Sequence, residues 1–527
     1  MKHWKLRTMM ALLLAAVLLV AAGCQAVGGV DLNKALQQSL RVTSGESAHT
    51  LELELTFAED AADQMSAEEA EMLRLFSSIK LELDEVKQQA NGNASMRGAL
   101  ALGDLEIGFR AVATDTLVMV ELDGVARPLV LDLNAMLEES GELDDSTAAL
   151  FDADAQAELT ELTREAVYTA GDFLIGHLPN PERIAVGGVQ EEIHGETLSL
   201  MKVSAELDGT EVLGWAKGYL EALLADRAGI ETLLTELMAL AESDAAQELL
   251  GSLGVETMLP ADMDEAARAE QIAEGAEEMV STLEMLLDEL ETFEADNGDS
   301  LAGWLNEQSY IAADLYIDSK LDVRKSDMEL VLQPSEEALM WPLERIAVRS
   351  SAELWNVNGA VEVEALEAPA DAIPLESLMW MESYDLMQEM EASSDLYRLF
   401  ERLGLNRQEL TLYAQYDYYP PIVTPDGVTI VPLRTVAEGL GGEVTYEAAT
   451  GRYVVYDPAT GTTIALAKND DSVLVNGLAR TWSYPVINLD GVLYVPARNM
   501  VEALGGTLHW VNDEELELRY LEIERVL

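Results

Sequence analysis

The sequence predicts an α+β protein: a large, curved antiparallel sheet with helices on one face, followed by a small C-terminal α+β domain built from two repeats. Three observations predict it. Apolar and polar residues alternate in several short runs on either side of the middle of the chain, as strands with one wet face require. Between those runs, over 135–178 and 212–304, apolar residues recur every three or four positions, the period of a helix. Near the C-terminus the stretch 426–446 returns as 490–510, an offset of 64 residues.

The chain opens with Lys2, Lys5 and Arg7, an unbroken apolar run from Met9 to Ala22, and then Ala21-Ala22-Gly23-Cys24. That is the layout of a secretory signal peptide. The run is shorter than the ~20 residues that span a bilayer, so residues 1–23 are expected to be removed. Cys24 is the only cysteine of the chain and cannot pair within it. The segment resembles the lipobox of bacterial lipoproteins, with Ala21 standing where that family prefers Leu or Val. The resemblance implies that Cys24 is the lipidation site and that the mature protein is tethered to the extracytoplasmic face of the cell membrane. Two acyl chains hold a protein there stably, whereas one holds it reversibly.

The body, 24–370, begins with a helix over Asn33–Arg41. Leu51, Leu53, Leu55 and Phe57 then alternate with Glu52, Glu54 and Thr56, a strand with one greasy and one wet side. A helix rich in Met and Glu, 65–76, separates it from a second strand through Ile79, Leu81 and Leu83. Strands over 99–102, 105–111, 117–122 and 129–133 follow, with Gly103-Asp104 and Asp123-Gly124 as turns, and read as an antiparallel meander. The helical region comes next; Leu220, Leu223 and Leu224, and Met279, Leu283, Leu286, Leu287 and Leu290, mark its apolar stripes. Residues 184–207 within it read as a strand, and alternation resumes over 311–317, 328–332, 346–354 and 360–366. In this order of elements the body resembles bacterial lipoprotein carriers and the mycobacterial lipoproteins that hold acyl chains between sheet and helices. That implies helices within the concavity of the sheet, and a carrier or sensor of a lipid or amphiphile as an alternative role. Pro369 and Pro374 then mark a break, and 371–410 reads as a helical connector.

Charge separates body from tail. Without residues 1–23 the chain has 29 basic and 97 acidic residues, a net charge of −68. From Thr411 onward there are 7 basic and 16 acidic residues, so most of the excess lies in the body. Such a surface repels phosphate backbones, and no nucleic acid is expected as partner.

In the tail, 411–527, each repeat can be read physically. Asp426-Gly427 and Asp490-Gly491 turn into short strands, and Pro432 and Pro496 stand where helices start. Arg434 and Glu438, like Arg498 and Glu502, lie four apart on one helical face. Gly441 and Gly505 follow the last apolar residue, where a left-handed cap is wanted. Strands ending in Tyr446 and Trp510 come next, and Asn476-Gly477 marks a hairpin. The Val-Pro-Leu-Arg unit with Glu-Gly-Leu-Gly-Gly and Tyr, its second copy and the intervening Val-Asn-Gly resemble the copper amine oxidase-like N-terminal domain, a stalk module of exported proteins. The second copy has Ala497 where Leu is usual. The resemblance implies a spacer or binding module with no metal, no cofactor and no chemistry.

The residues themselves agree with a non-catalytic chain. The five histidines stand singly, one cysteine cannot make a thiolate zinc site, and no Gly-rich phosphate loop, nucleophile elbow or His-Glu-x-x-His run occurs. The expected protein is a membrane-anchored surface lipoprotein that acts as a cell-envelope binding module. Its expected partners are the membrane, through the anchor, and an envelope polymer or protein, with a lipid in the carrier alternative.

Overall fold

The computed structural model describes residues 31–133, 153–243, 246–247, 264–335, 338, 342–364, 366–381, 383–513 and 518–527; the signal segment, Cys24 and residues 135–152 of the expected helical region lie outside them. The chain divides into two compact units, one of Met1–Asp123 with Arg127–Leu375, the other of Gly124–Ala126 with Glu376–Leu527.

The first unit is a large antiparallel sheet with helices on one face. Helix α1 (Leu32–Leu40), capped by the Asp31 carboxylate, leads into the long strand β1 (Gly45–Phe57). Helix α2 (Ala67–Phe76) starts in a capping box, with Ser66 and Glu69 each bonding the other's backbone N–H. The meander continues through β2 (Ser78–Gln88), β3 (Ala94–Leu102), β4 (Leu105–Ala113), β5 (Leu117–Leu122) and β6 (Leu129–Asp132). After α3 (Ala153–Gly176) come β7 (Arg183–Ile193) and β8 (Glu196–Asp208), then helices α4 (Gly209–Ala225), α5 (Arg227–Ala241) and α6 (Glu265–Trp304). Strands β9 (Tyr310–Ile317), β10 (Val323–Leu332), β11 (Leu343–Trp355) and the short β12 (Ile373–Pro374) complete the unit. The strand order is β12-β6-β5-β4-β3-β2-β1-β11-β10-β9-β8-β7. Two meanders thus meet at the β1–β11 pair, where Leu53 faces Val348 and Glu52 faces Arg349.

The alternation read from sequence sorts the two faces. Leu207, Ile311, Leu330 and Val348 point to the helices and pack with Trp215, Tyr219, Leu301 and Trp304. Val203, Leu315 and Ile317 receive Leu32 and Ala35 of α1. The opposite face carries Glu52, Arg183, Glu206, Glu329 and Arg349.

Three expectations are corrected. Residues 184–207 form two strands, because His194 and Gly195 both take positive φ (46° and 77°) and close a tight hairpin turn. Residues 360–364 are irregular where a strand was expected; Asn356, at φ 50°, turns the chain out of the sheet and its side-chain amide bonds the Ala360 carbonyl. The curvature also runs opposite to the carrier-like expectation. β7 meets β11 on the charged face: His194 stacks on Trp355 at 4.0 Å, and Glu191 of β7 reaches Lys325 of β10 at 2.7 Å. The β7–β11 part of the sheet therefore closes around its charged side, and the helices packed on it lie on the outside of that curl.

The second unit opens with the short helices α7 (Ser383–Gln388) and α8 (Asp395–Arg402) and strand β13 (Arg407–Tyr413). The first repeat comprises β14 (Ile422–Val423), β15 (Thr429–Pro432), α9 (Leu433–Gly439), β16 (Glu443–Glu447) and β17 (Arg452–Asp457). Strands β18 (Thr462–Leu466), β19 (Ser472–Val475) and β20 (Leu478–Thr481) intervene, the last two joined at Asn476-Gly477. The second repeat comprises β21 (Ile487–Leu489), β22 (Val492–Pro496), α10 (Ala497–Ala503), β23 (Thr507–Asp513) and β24 (Leu518–Val526).

Candidate functional site

The two repeats pair with each other through their equivalent strands. In β15 and β22, Val431 faces Val495, its own counterpart, while Ile430 faces Pro496 and Pro432 faces Tyr494. A local two-fold axis therefore passes through the Val431–Val495 pair, and both valines are fully buried. The core around the axis is built from matched residues, Val436 with Met500, Ala437 with Val501 and Leu440 with Leu504.

Each residue singled out in sequence takes a definite place in this frame. Pro432 and Pro496 end their strands and occupy the N-cap positions, with φ −62° in both, one position earlier than the first helical turn expected for them. Proline fits because its fixed φ suits this extended-to-helical corner, and no helix N–H is lost. Gly441 and Gly505 have φ of 79° and 78°. In both copies the N–H of this glycine bonds the carbonyl two residues inside the cap, and the next glycine reaches one residue further back: Gly441 to Glu438 and Gly442 to Ala437, then Gly505 to Glu502 and Gly506 to Val501. These are two matching Schellman caps. The charged pairs do not match. Arg434 binds Glu438 and also donates to the Val444 carbonyl at 3.2 Å, tying α9 to β16. Arg498 and Glu502 are both exposed, and among the described residues they form no such pair.

The residue that joins the two halves was not singled out in sequence. Arg525, near the end of β24, is 2% exposed, and its guanidinium uses every N–H it has. Nη1 and Nη2 grip Asp457 at 2.6 and 3.2 Å, Nε bonds Gln408 at 2.5 Å, and the remaining hydrogens go to the carbonyls of Leu504 (3.2 Å) and Leu440 (2.5 Å). Leu440 and Leu504 are the C-cap residues of α9 and α10. One cation thus sits at the negative ends of both repeat helices. Glu443 pairs with Tyr456 and Thr507 pairs with Glu524, so Asp457 and Arg525, one step on, occupy equivalent positions of the two repeats.

The surface of this unit displays tyrosines. Tyr418 is 88% exposed and Tyr416 74%, and both lie between β13 and β14 in the stretch Ala414–Pro421. That stretch is pinned: the Tyr413 amide donates to the Asp417 carboxylate at 2.8 Å, the Arg519 amide donates to the Gln415 side chain at 3.3 Å, and Tyr419 meets Tyr418 edge-on at 4.7 Å. At the root of the stretch Tyr413 and Tyr520 lie 5.4 Å apart, and the Arg519 guanidinium covers the Trp510 ring at 4.4 Å. Trp510, half-buried, donates its Nε1–H to Thr429 at 3.1 Å, while its counterpart Tyr446 is exposed and tilts against Tyr453.

Residues 412–516 match the family model of the copper amine oxidase N-terminal domain. This domain is a non-catalytic, stalk-like module. The match spans about a fifth of the chain and contains both repeat motifs, Asp457 and the exposed tyrosines. It stops short of Arg525, and strand β24 lies just beyond the matched residues. No curated protein matches the chain. Among the described residues, no three His, Cys, Asp or Glu side chains gather as a metal site, and no helix is long and apolar enough to cross a membrane.

Proposed function

We propose that the protein is a non-catalytic surface lipoprotein, anchored to the extracytoplasmic face of the membrane through Cys24, whose C-terminal module binds a glycan polymer of the cell envelope. The observation that carries this reading is the pinned tyrosine stretch, with Tyr416 and Tyr418 held in water at 74% and 88% exposure beside Pro420 and Pro421. Tyrosine offers a large, stiff, amphipathic contact at little cost in side-chain entropy, and flat aromatic faces suit the apolar faces of sugar rings. A glycan fits better than a polyanion, because the chain carries a net charge of −65 and repels negative polymers. The alternative of a lipid held between sheet and helices finds less support. The hollow lined by Pro179, Leu207 and Trp215 on the helix side measures about 300 Å³, whereas a hollow of about 790 Å³ lies on the charged face.

The test is cosedimentation of the full chain with insoluble cell-wall glycan. Replacing Tyr416 and Tyr418 together by Ala should weaken binding at least about tenfold, the scale of truncating interface aromatics, while leaving the melting temperature unchanged. Equal retention of the wild type and the double variant, or no retention of either, would overturn the reading.

A further inference from the structure

The curl of β7–β11 and β1 encloses a hollow of about 790 Å³ on the charged face. That is the size of a small-ligand site. It is layered by strand register. At one end lie the buried Ile193, Leu200 and Tyr316, with the ammonium groups of Lys202 and Lys325 each 5.3 Å from the Tyr316 ring. The next row across the sheet, Ala185, Ser204, Asp314, Asp327, Ser351 and Thr50, is made of small side chains apart from two carboxylates, which is why space is left there. The outer row carries both signs: Arg183, Glu206, Glu329, Arg349 and Glu52.

Asp314 and Asp327 stand directly opposite each other in the β9–β10 pair. Like charges in that position repel and destabilise a sheet. Asp314 is partly compensated by Lys202 at 2.9 Å and Ser204 at 2.5 Å. Asp327 accepts from the Ser351 hydroxyl at 2.6 Å and is attracted by Lys325, whose ammonium is itself held by Glu191 at 2.7 Å. The two arginines of the lining cannot help. Arg349 is bound by Glu54 and Glu329 at 3.0 and 2.9 Å, and Arg183 by Asp208 and Glu211 at 3.1 and 2.7 Å.

We propose that this hollow receives a basic side chain, lysine or arginine, of an extended peptide, whose cationic head sits between Asp314 and Asp327. Its N–H groups take the free lone pairs of both carboxylates and remove their repulsion, with Ser204 and Ser351 holding the acids in place. The rim of alternating Glu and Arg meets the polar backbone that carries the side chain. This hollow belongs to the first unit and is independent of the tyrosine stretch of the second.

The experiment is calorimetric titration of the full chain with trilysine and triarginine peptides at about 0.15 M salt, where general attraction to an acidic surface is screened within about 8 Å. One-to-one saturable binding of either peptide is expected, and which one binds tighter assigns the side chain. Asp327→Asn should lower that affinity by more than about tenfold, as loss of a charge-assisted hydrogen bond does, and should raise or preserve the melting temperature. Asp314→Asn provides a second reading of the same loss. Glu277→Gln with Glu278→Gln, two exposed positions on α6, should leave affinity unchanged. Absence of saturable binding, or an equal loss in the α6 variant, would overturn the proposal.

Discussion

Arg525 is the residue on which the C-terminal module turns. Removing one partner of a buried ion pair strands the other, so Arg525→Met should cost about 3–5 kcal/mol in urea unfolding of the chain's C-terminal transition. The two-fold relation makes a sharper prediction. Exchanging the charges, Asp457→Arg with Arg525→Asp, places the guanidinium at the equivalent position of the other repeat, still within reach of the Leu440 and Leu504 carbonyls. The double variant should recover more than half of the loss; a double variant as unstable as Arg525→Met would contradict the symmetry argument. The pair is hidden in the sequence for a physical reason. The caps and prolines repeat at an offset of 64, but Asp457 and Arg525 are 68 apart because the β23–β24 hairpin pairs two residues further along each strand before its turn, and opposite charges at matched positions do not look like a repeat. The exposed pair that did look like one, Arg434 with Glu438, is formed in one copy alone, as befits surface ions worth a fraction of a kcal/mol.

At the scale of elements, the two helix caps should respond alike. A side chain at φ near 80° is strained, so Gly441→Ala and Gly505→Ala should each cost about 1–2 kcal/mol, measured by the same unfolding transition. A clear difference between them would mean that the caps are not equivalent. In α4, the Tyr219 hydroxyl is buried against the Leu174 carbonyl (3.2 Å), and burial pushes its pKa up to about 12. The folded chain therefore holds this proton more tightly than the unfolded chain. The resulting stability is complete below about pH 10 and is lost as pH rises towards 12, at about 1.4 kcal/mol per pH unit. Tyr219→Phe should flatten that alkaline slope; an unchanged slope would assign it elsewhere. Strands such as β1, and the helices whose stripes include Leu223 and Met279, were legible because period alone sorts a two-layer fold. The β7–β8 hairpin was not, since a His-Gly turn lacks the usual Asn or Asp signal, and neither was the direction of curl, which depends on contacts such as His194 with Trp355 far apart in sequence.

Over the whole molecule, the proposed function would hold the protein at two places: at the membrane through an acylated Cys24, and at the envelope through the tyrosines of its C-terminal module. A net charge of −68 without residues 1–23 keeps such a chain soluble and away from anionic polymers, and makes any encounter with a basic partner dependent on ionic strength. The tail was legible because its motif recurs, whereas its tyrosine display was not, since Tyr416 and Tyr418 become a surface only when Asp417 and Gln415 pin the stretch. The most direct test is fractionation of cells that express the wild type, Cys24→Ala, Tyr416→Ala/Tyr418→Ala, or all three substitutions together. Either change alone should leave the protein with the cell, membrane-bound in the tyrosine variant and wall-bound in the Cys24 variant, and only the triple variant should appear in the medium. Release of the Cys24→Ala protein into the medium with its tyrosines intact, or membrane retention without Cys24, would contradict the account.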